Sequence, residues 1–191
     1  LLELLEDVSV DNDVNLSDPR FQVQFVIRPQ TDELHDYRGY AGKVISGIYK
    51  KGDRVIVLPA GIETTISKLE IAGEEVEEIF APQSATILLE HDIDISRGDS
   101  IVKTDNLPQT NNELEVLLCW MDEKPLIAGN KYYLQHNCHL VKSVVKSVEY
   151  KLDVNSLQQQ QIDGIVKLNE VVKAIIKTAY PLVFDKYADL R

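Results

Sequence analysis

The sequence predicts an all-β protein of two small barrels in tandem. Apolar residues through most of the chain recur with period two, as half-buried strands require and helices do not. Gly and Pro punctuate these runs at short spacing. The 191 residues suit two small domains on a prior of ~100–200 residues each, and closure into barrels leaves no strand edge bare.

The elements follow in order. Leu1, Leu2, Leu4, Leu5 and Val8 recur at helical spacing, so residues 1–18 are expected to hold the tail of a helix from an upstream domain and a linker. From Phe21 the period changes: Phe21, Val23, Phe25 and Ile27 alternate with Gln22, Gln24 and Val26 as a strand with one buried face. Arg54–Leu58 is a strand set between the turns Lys51-Gly52-Asp53 and Pro59-Ala60-Gly61. Ile62–Ile71 and Ala85–Glu90 are further strands, with turns at Ala72-Gly73-Glu74-Glu75 and Ala81-Pro82 between them. Residues 19–105 make the first barrel.

The polar, aperiodic stretch Asp105–Asn112 reads as a linker, and residues 106–191 as the second barrel. Its strands are Leu114–Met121, Lys131–Gln135, Leu140–Leu152 and Val171–Thr178, with Trp120 and Met121 expected in the core. In Leu140–Leu152 the residues Val141, Ser143 and Val145 share one face, whereas Val148, Tyr150 and Leu152 take the opposite phase. A bulge near Lys146-Ser147 restores the inward face. Gln158–Gln161 beside Asp163-Gly164 reads most simply as a loop.

Charge narrows the function classes. The 31 acidic and 20 basic residues give a net charge of −11, a field that opposes phosphate backbones and anionic membranes. The leader, residues 1–18, holds six acids and no base; residues 19–105 hold 15 acids and 10 bases; residues 106–191 hold 10 of each. No run approaches the ~18 apolar residues of a membrane span, and the two cysteines, Cys119 and Cys138, suit a reducing, cytoplasmic setting.

Catalytic chemistry is missing from the sequence. A phosphate-binding loop needs G-x-x-x-x-G-K-[ST], whose backbone wraps phosphates while Lys and a hydroxyl reach the terminal phosphate and magnesium. Gly39-Tyr40-Ala41-Gly42-Lys43 imitates it, but the first Gly is too near the Lys and Val44 offers no hydroxyl. Asn130-Lys131-Tyr132-Tyr133 lacks the Asp of a guanine-reading N-K-x-D. His136, Cys138 and His139 do not converge with zinc spacing, Arg97-Gly98-Asp99 reads as a turn, and Asp92 and Asp94 read as solvated turn carboxylates. No catalytic, cofactor-binding or metal residue is assigned.

Several phrases together go further. Arg38-Gly39-Tyr40-Ala41-Gly42, Lys51 to Pro59, Asp92 to Asp99, Cys119 to Leu126, Leu152 to Leu157 and Pro181 to Tyr187 occur in an order that resembles the second and third domains of the GTPase subunit of bacterial sulfate adenylyltransferase. That family looks like elongation factor Tu: a GTP-binding domain followed by two translation-factor β-barrels. The resemblance implies that GTP and magnesium bind upstream of this stretch. It implies that the parent couples GTP hydrolysis to formation of adenosine 5'-phosphosulfate from ATP and sulfate, and that a separate ATP-handling small subunit is the partner in a heterodimer. It also implies that the second barrel lacks its last strands, because Leu190 stands where relatives carry an Asn and run on.

On this reading the stretch is a non-catalytic interaction and coupling module. Tyr37, Arg38 and Tyr40, at the start of a strand, are its interface candidates, since aromatic and Arg side chains anchor interfaces. The plainer alternative puts Tyr40 in the barrel and Arg38 against Asp36. The rival function, a translation-factor fragment that binds aminoacyl-tRNA, is opposed by the acidic charge.

Overall fold

A computed structural model describes residues 14–29 and 37–187. The helix tail expected at Leu1–Val8 lies outside them. The chain divides into two units: one comprises the described residues through Gln109 together with those from Phe184 onward, the other Thr110–Val183. The described elements are all strands.

The first unit contains β1 (Arg20–Ile27), β2 (Gly39–Ser46), β3 (Ile48–Lys50), β4 (Arg54–Leu58), β5 (Ile62–Ile71), β6 (Glu74–Val76), β7 (Glu78–Phe80), β8 (Ser84–Leu89) and β9 (Ser100–Lys103). Six of them run in the order β4-β9-β1-β2-β8-β5, and β4 also pairs with β5, which closes the barrel. Inside lie Phe21, Val23, Val44, Tyr49, Val57, Leu69 and Ile87. Each such side chain contributes roughly 1.5–3 kcal/mol on burial. Tyr49 meets Phe21 edge-on at 6.4 Å, and its hydroxyl donates to the Ile101 carbonyl at 2.7 Å. That bond satisfies the one polar atom this ring carries into the core.

One expectation for β1 is overturned. Val23 pairs with Gly42 and Phe25 with Ala41, so a register shift falls between them. The shift reverses the side-chain parity: Phe25 is 65% exposed, and Val26 packs against the core in its place.

The second unit contains all but the first residue of β10 (Gln109–Cys119), β11 (Leu126–Ile127), β12 (Lys131–His136), β13 (His139–Leu152), β14 (Gln159–Gln160), β15 (Ile165–Val166) and all but the last residue of β16 (Val171–Phe184). The order is β10-β16-β13-β12, with β14 on β13 and a separate β11-β15 ribbon. The strand β10 begins at Gln109, inside the expected linker. Its first four residues are all exposed, so no alternation betrays them. The bulge expected near Lys146-Ser147 is present, as a shift between Val145 and Ser147 in the pairing with β16. The core gathers Leu126, Val145, Val166, Val172 and Ala174, with Trp120 packed against it. Met121 is 72% exposed, contrary to expectation, because it lies just past the end of β10.

A charged latch ties two segments of this unit. Glu170 accepts from Lys151 Nζ at 2.6 Å and from the Lys167 amide at 2.8 Å. The Lys151 hydrogen bond, then that amide, hold its carboxyl below the ordinary value against the effect of burial. The stabilisation is therefore present above the unfolded carboxylate pKa of ~4.3 and disappears as pH falls through the lower folded value. Glu170→Gln is expected to flatten the acid limb of unfolding followed by the fluorescence of Trp120, the single tryptophan. An unchanged acid limb would refute the assignment.

Candidate interaction site on the first barrel

The strands β2 and β8 and the segments beside them bring Tyr37, Arg38, Tyr40, Leu88 and His91 around a cleft of about 560 Å³ that Arg28 also lines. All three interface candidates thus meet in one place, with different roles. Tyr40 is 1% exposed and its hydroxyl donates to the Ile93 carbonyl at 2.7 Å; it forms the floor. The Arg38 guanidinium lies over its ring, 5.8 Å from the centroid, within the range of a cation–π contact.

Asp36, the alternative partner of Arg38, lies outside the described residues. Arg38 pairs with Asp92 and, at 3.4 Å, with Asp94. Both carboxylates are well exposed while the Arg38 side chain retains 15% of its accessibility, so two exposed anions hold a mostly covered cation. Its Nε is buried and makes no hydrogen bond among the described residues. Tyr37 donates to Glu70 Oε2 at 2.7 Å, and Glu70, itself buried, also pairs with Lys68 at 2.9 Å. Burial first, then the hydrogen bond to Glu70 and its charge, push the Tyr37 hydroxyl up to about 12. It stays protonated at any physiological pH and serves as a fixed donor.

Sequence reasoning missed Glu70, His91 and Arg28, and treated Asp92 and Asp94 as mere turn residues. No local pattern signals them, because the partners of Arg38 lie more than fifty residues along the chain. Tyr40→Phe removes a buried hydrogen bond and orphans the Ile93 carbonyl, at an expected cost of about 1 kcal/mol. Urea unfolding followed by circular dichroism measures it; an unshifted midpoint would contradict the role of this floor.

The arrangement has donors, a braced cation and a His91 whose Nδ1 lies 3.2 Å from the Thr64 hydroxyl. Among the described residues no group of three or more His, Cys, Asp or Glu could hold a metal ion. His136 instead places Nε2 3.0 Å from the Val183 carbonyl. The Arg97-Gly98-Asp99 segment is a turn in which Gly98 takes φ 100° and the Ser96 amide donates to Asp99 at 2.8 Å. No helix of the described residues is long and apolar enough to cross a membrane.

Residues 113–191 match the family model described as GTP-eEF1A C-terminal domain-like. Over 187 residues, 98% of the chain, the sequence is 39% identical to sulfate adenylyltransferase subunit 1 of Bacteroides fragilis and covers 38% of that protein. It is 42% identical over 188 residues to the bifunctional enzyme CysN/CysC of Mycobacterium tuberculosis, covering 98% of the chain and 31% of that protein. The chain thus spans less than two fifths of the length of these curated relatives. Among solved structures, sup35 complexed with GMPPNP superposes with a TM-score of 0.80 at 14% identity, over 99% of this chain and 46% of that one. Elongation factor SelB from Methanococcus maripaludis gives 0.69 at 16% identity, over 96% and 40%. Sequence and fold agree: over nearly its whole length the chain is similar to sulfate adenylyltransferase subunit 1, and its described residues fold like the β-barrel domains of translation factors.

Proposed function

We propose that this chain is the non-catalytic interaction and coupling part of a sulfate adenylyltransferase GTPase subunit in the cytoplasm. GTP and magnesium belong to a GTPase domain elsewhere in the parent. A companion subunit that handles ATP and sulfate forms adenosine 5'-phosphosulfate. The barrels give the nucleotide-sensing domain rigid surfaces to move against, so that contacts differing between nucleotide states shift the companion's equilibrium.

One observation carries the reading: the 39% identity to a named subunit 1 extends over 98% of a chain whose sequence contains no phosphate-binding loop. The cleft supports it, since a covered Arg38 braced by exposed carboxylates suits exchange of those carboxylates for a partner's. Calorimetry of the full chain tests it. The chain is expected to bind the companion subunit and to leave a fluorescent GTP analogue unbound. Tight binding of the analogue, or no binding of the companion, overturns the proposal.

A further inference from the structure

The lysines of the second unit fall into two groups. Lys146, Lys151 and Lys173 pair with Glu113, Glu170 and Glu115 at 2.8, 2.6 and 2.8 Å. Lys131, Lys142 and Lys177 have no ion pair among the described residues, and all three are exposed. The sheet register gathers them. Val144 of β13 stands opposite Lys131 of β12 and opposite Lys177 of β16, while Lys142 and Lys146 flank it along its own strand. Four ammonium groups thus surround one half-buried valine, in a shallow depression of about 440 Å³.

The same sheet face is apolar beyond the lysines. Tyr133 is 69% and Leu140 61% exposed; Tyr133 is the cross-strand neighbour of Lys142, and Leu140 lies two residues before it. An apolar floor, an exposed aromatic and a charged rim are the anatomy of a protein interface. Like charges placed side by side repel one another, and carboxylates set among them relieve that repulsion.

The geometry points to this outer face of β12, β13 and β16 as a docking surface for an acidic protein. Resting on the proposed function, we assign it to a carboxylate-bearing face of the companion subunit. Charge complementarity selects the partner. The chain as a whole carries −11, which opposes a nucleic acid with a charge every ~1.7 Å along its axis, whereas a folded protein brings a few carboxylates to one spot. Tyr133 and Leu140 also need apolar cover that a phosphate backbone does not supply.

The test measures companion-subunit binding to the full chain and to K131E/K142E/K177E at low and high ionic strength, with K124E, outside the patch, as control. The triple variant is expected to lose ~tenfold or more in affinity at low salt, chiefly through slower association, with the gap narrowing as salt rises. Its thermal midpoint stays near that of the wild type because none of the three lysines has an ion pair among the described residues, Lys177 acting on Glu113 only at longer range. Undiminished companion binding by the triple variant overturns this surface while leaving the proposed function standing. Absence of binding by the wild type overturns both. A labelled RNA hairpin is the remaining arm: binding by the wild type that the triple variant loses would reassign the face to nucleic acid and overturn the inference.

Discussion

Arg20→Ala is expected to cost the first unit about 3 kcal/mol, within the range for breaking a buried ion pair. The Arg20 side chain is 9% and that of Asp185 17% exposed, and the pair is bidentate: Nη2 reaches Oδ1 at 2.7 Å and Nε reaches Oδ2 at 2.8 Å. The remaining N–H groups donate to the Pro19 carbonyl, the Asn106 carbonyl and Asn106 Oδ1 at 2.9, 3.0 and 2.9 Å. All five donors of the fork are used. Burial opposes the charge, but the hydrogen bonds and charge of Asp185 outweigh it and raise the Arg20 pKa. Removing the side chain leaves a largely covered carboxylate and two Asn106 acceptors with no replacement. Arg20→Lys keeps the charge without the fork and is expected to recover only part of the loss. Because the sole tryptophan, Trp120, belongs to the second unit, the prediction separates two probes. The circular dichroism transition moves to lower denaturant, whereas the tryptophan transition keeps its midpoint. An unmoved dichroism transition would show that the node contributes nothing.

The second large effect lies at Gly42, where the backbones of β1 and β2 approach. A Cβ there would stand 1.9 Å from the Gln22 carbonyl oxygen. No rotamer change relieves a clash with backbone, so the two strands must part at the centre of the closed barrel. Gly42→Ala is expected to cost at least ~3 kcal/mol, the upper part of the range for overpacked sites, and to yield little soluble protein. Gly61→Ala sets the contrast: its Cβ would meet nothing within 4 Å, and only the φ of +73° resists the substitution. A cost near 1 kcal/mol is expected there from the left-handed backbone alone. Equal midpoints for the two variants would sink the close-approach argument.

Much of the fold was legible because alternation reports burial directly. The strand Ile62–Ile71 has the predicted limits, and the bulge in β13 was readable from the phase reversal between Val145 and Val148. Where alternation carries no information the reading failed. Phe25 and Val26 are both apolar, so nothing in the sequence says which points inward; the register with Gly42 and Ala41 decides. Gln109–Asn112 is a strand with no buried side chain, which looks like a linker.

The candidate site was legible only in part. Tyr37, Arg38 and Tyr40 were visible as a local cluster, but what each does depends on Glu70, Asp92 and Ile93, brought in by other strands. The lysines show the same limit. Lys142, Lys146 and Lys151 stand out along one strand, yet Lys151 turns to Glu170, and sheet register supplies Lys131 and Lys177 from its neighbours.

The single guanidinium that grips both Asn106 and Asp185 holds two stretches far apart in the sequence at one point of the first unit. A short Gly-Ser bridge from Asn106 to Asp185 would therefore join ends that this fastening already keeps side by side.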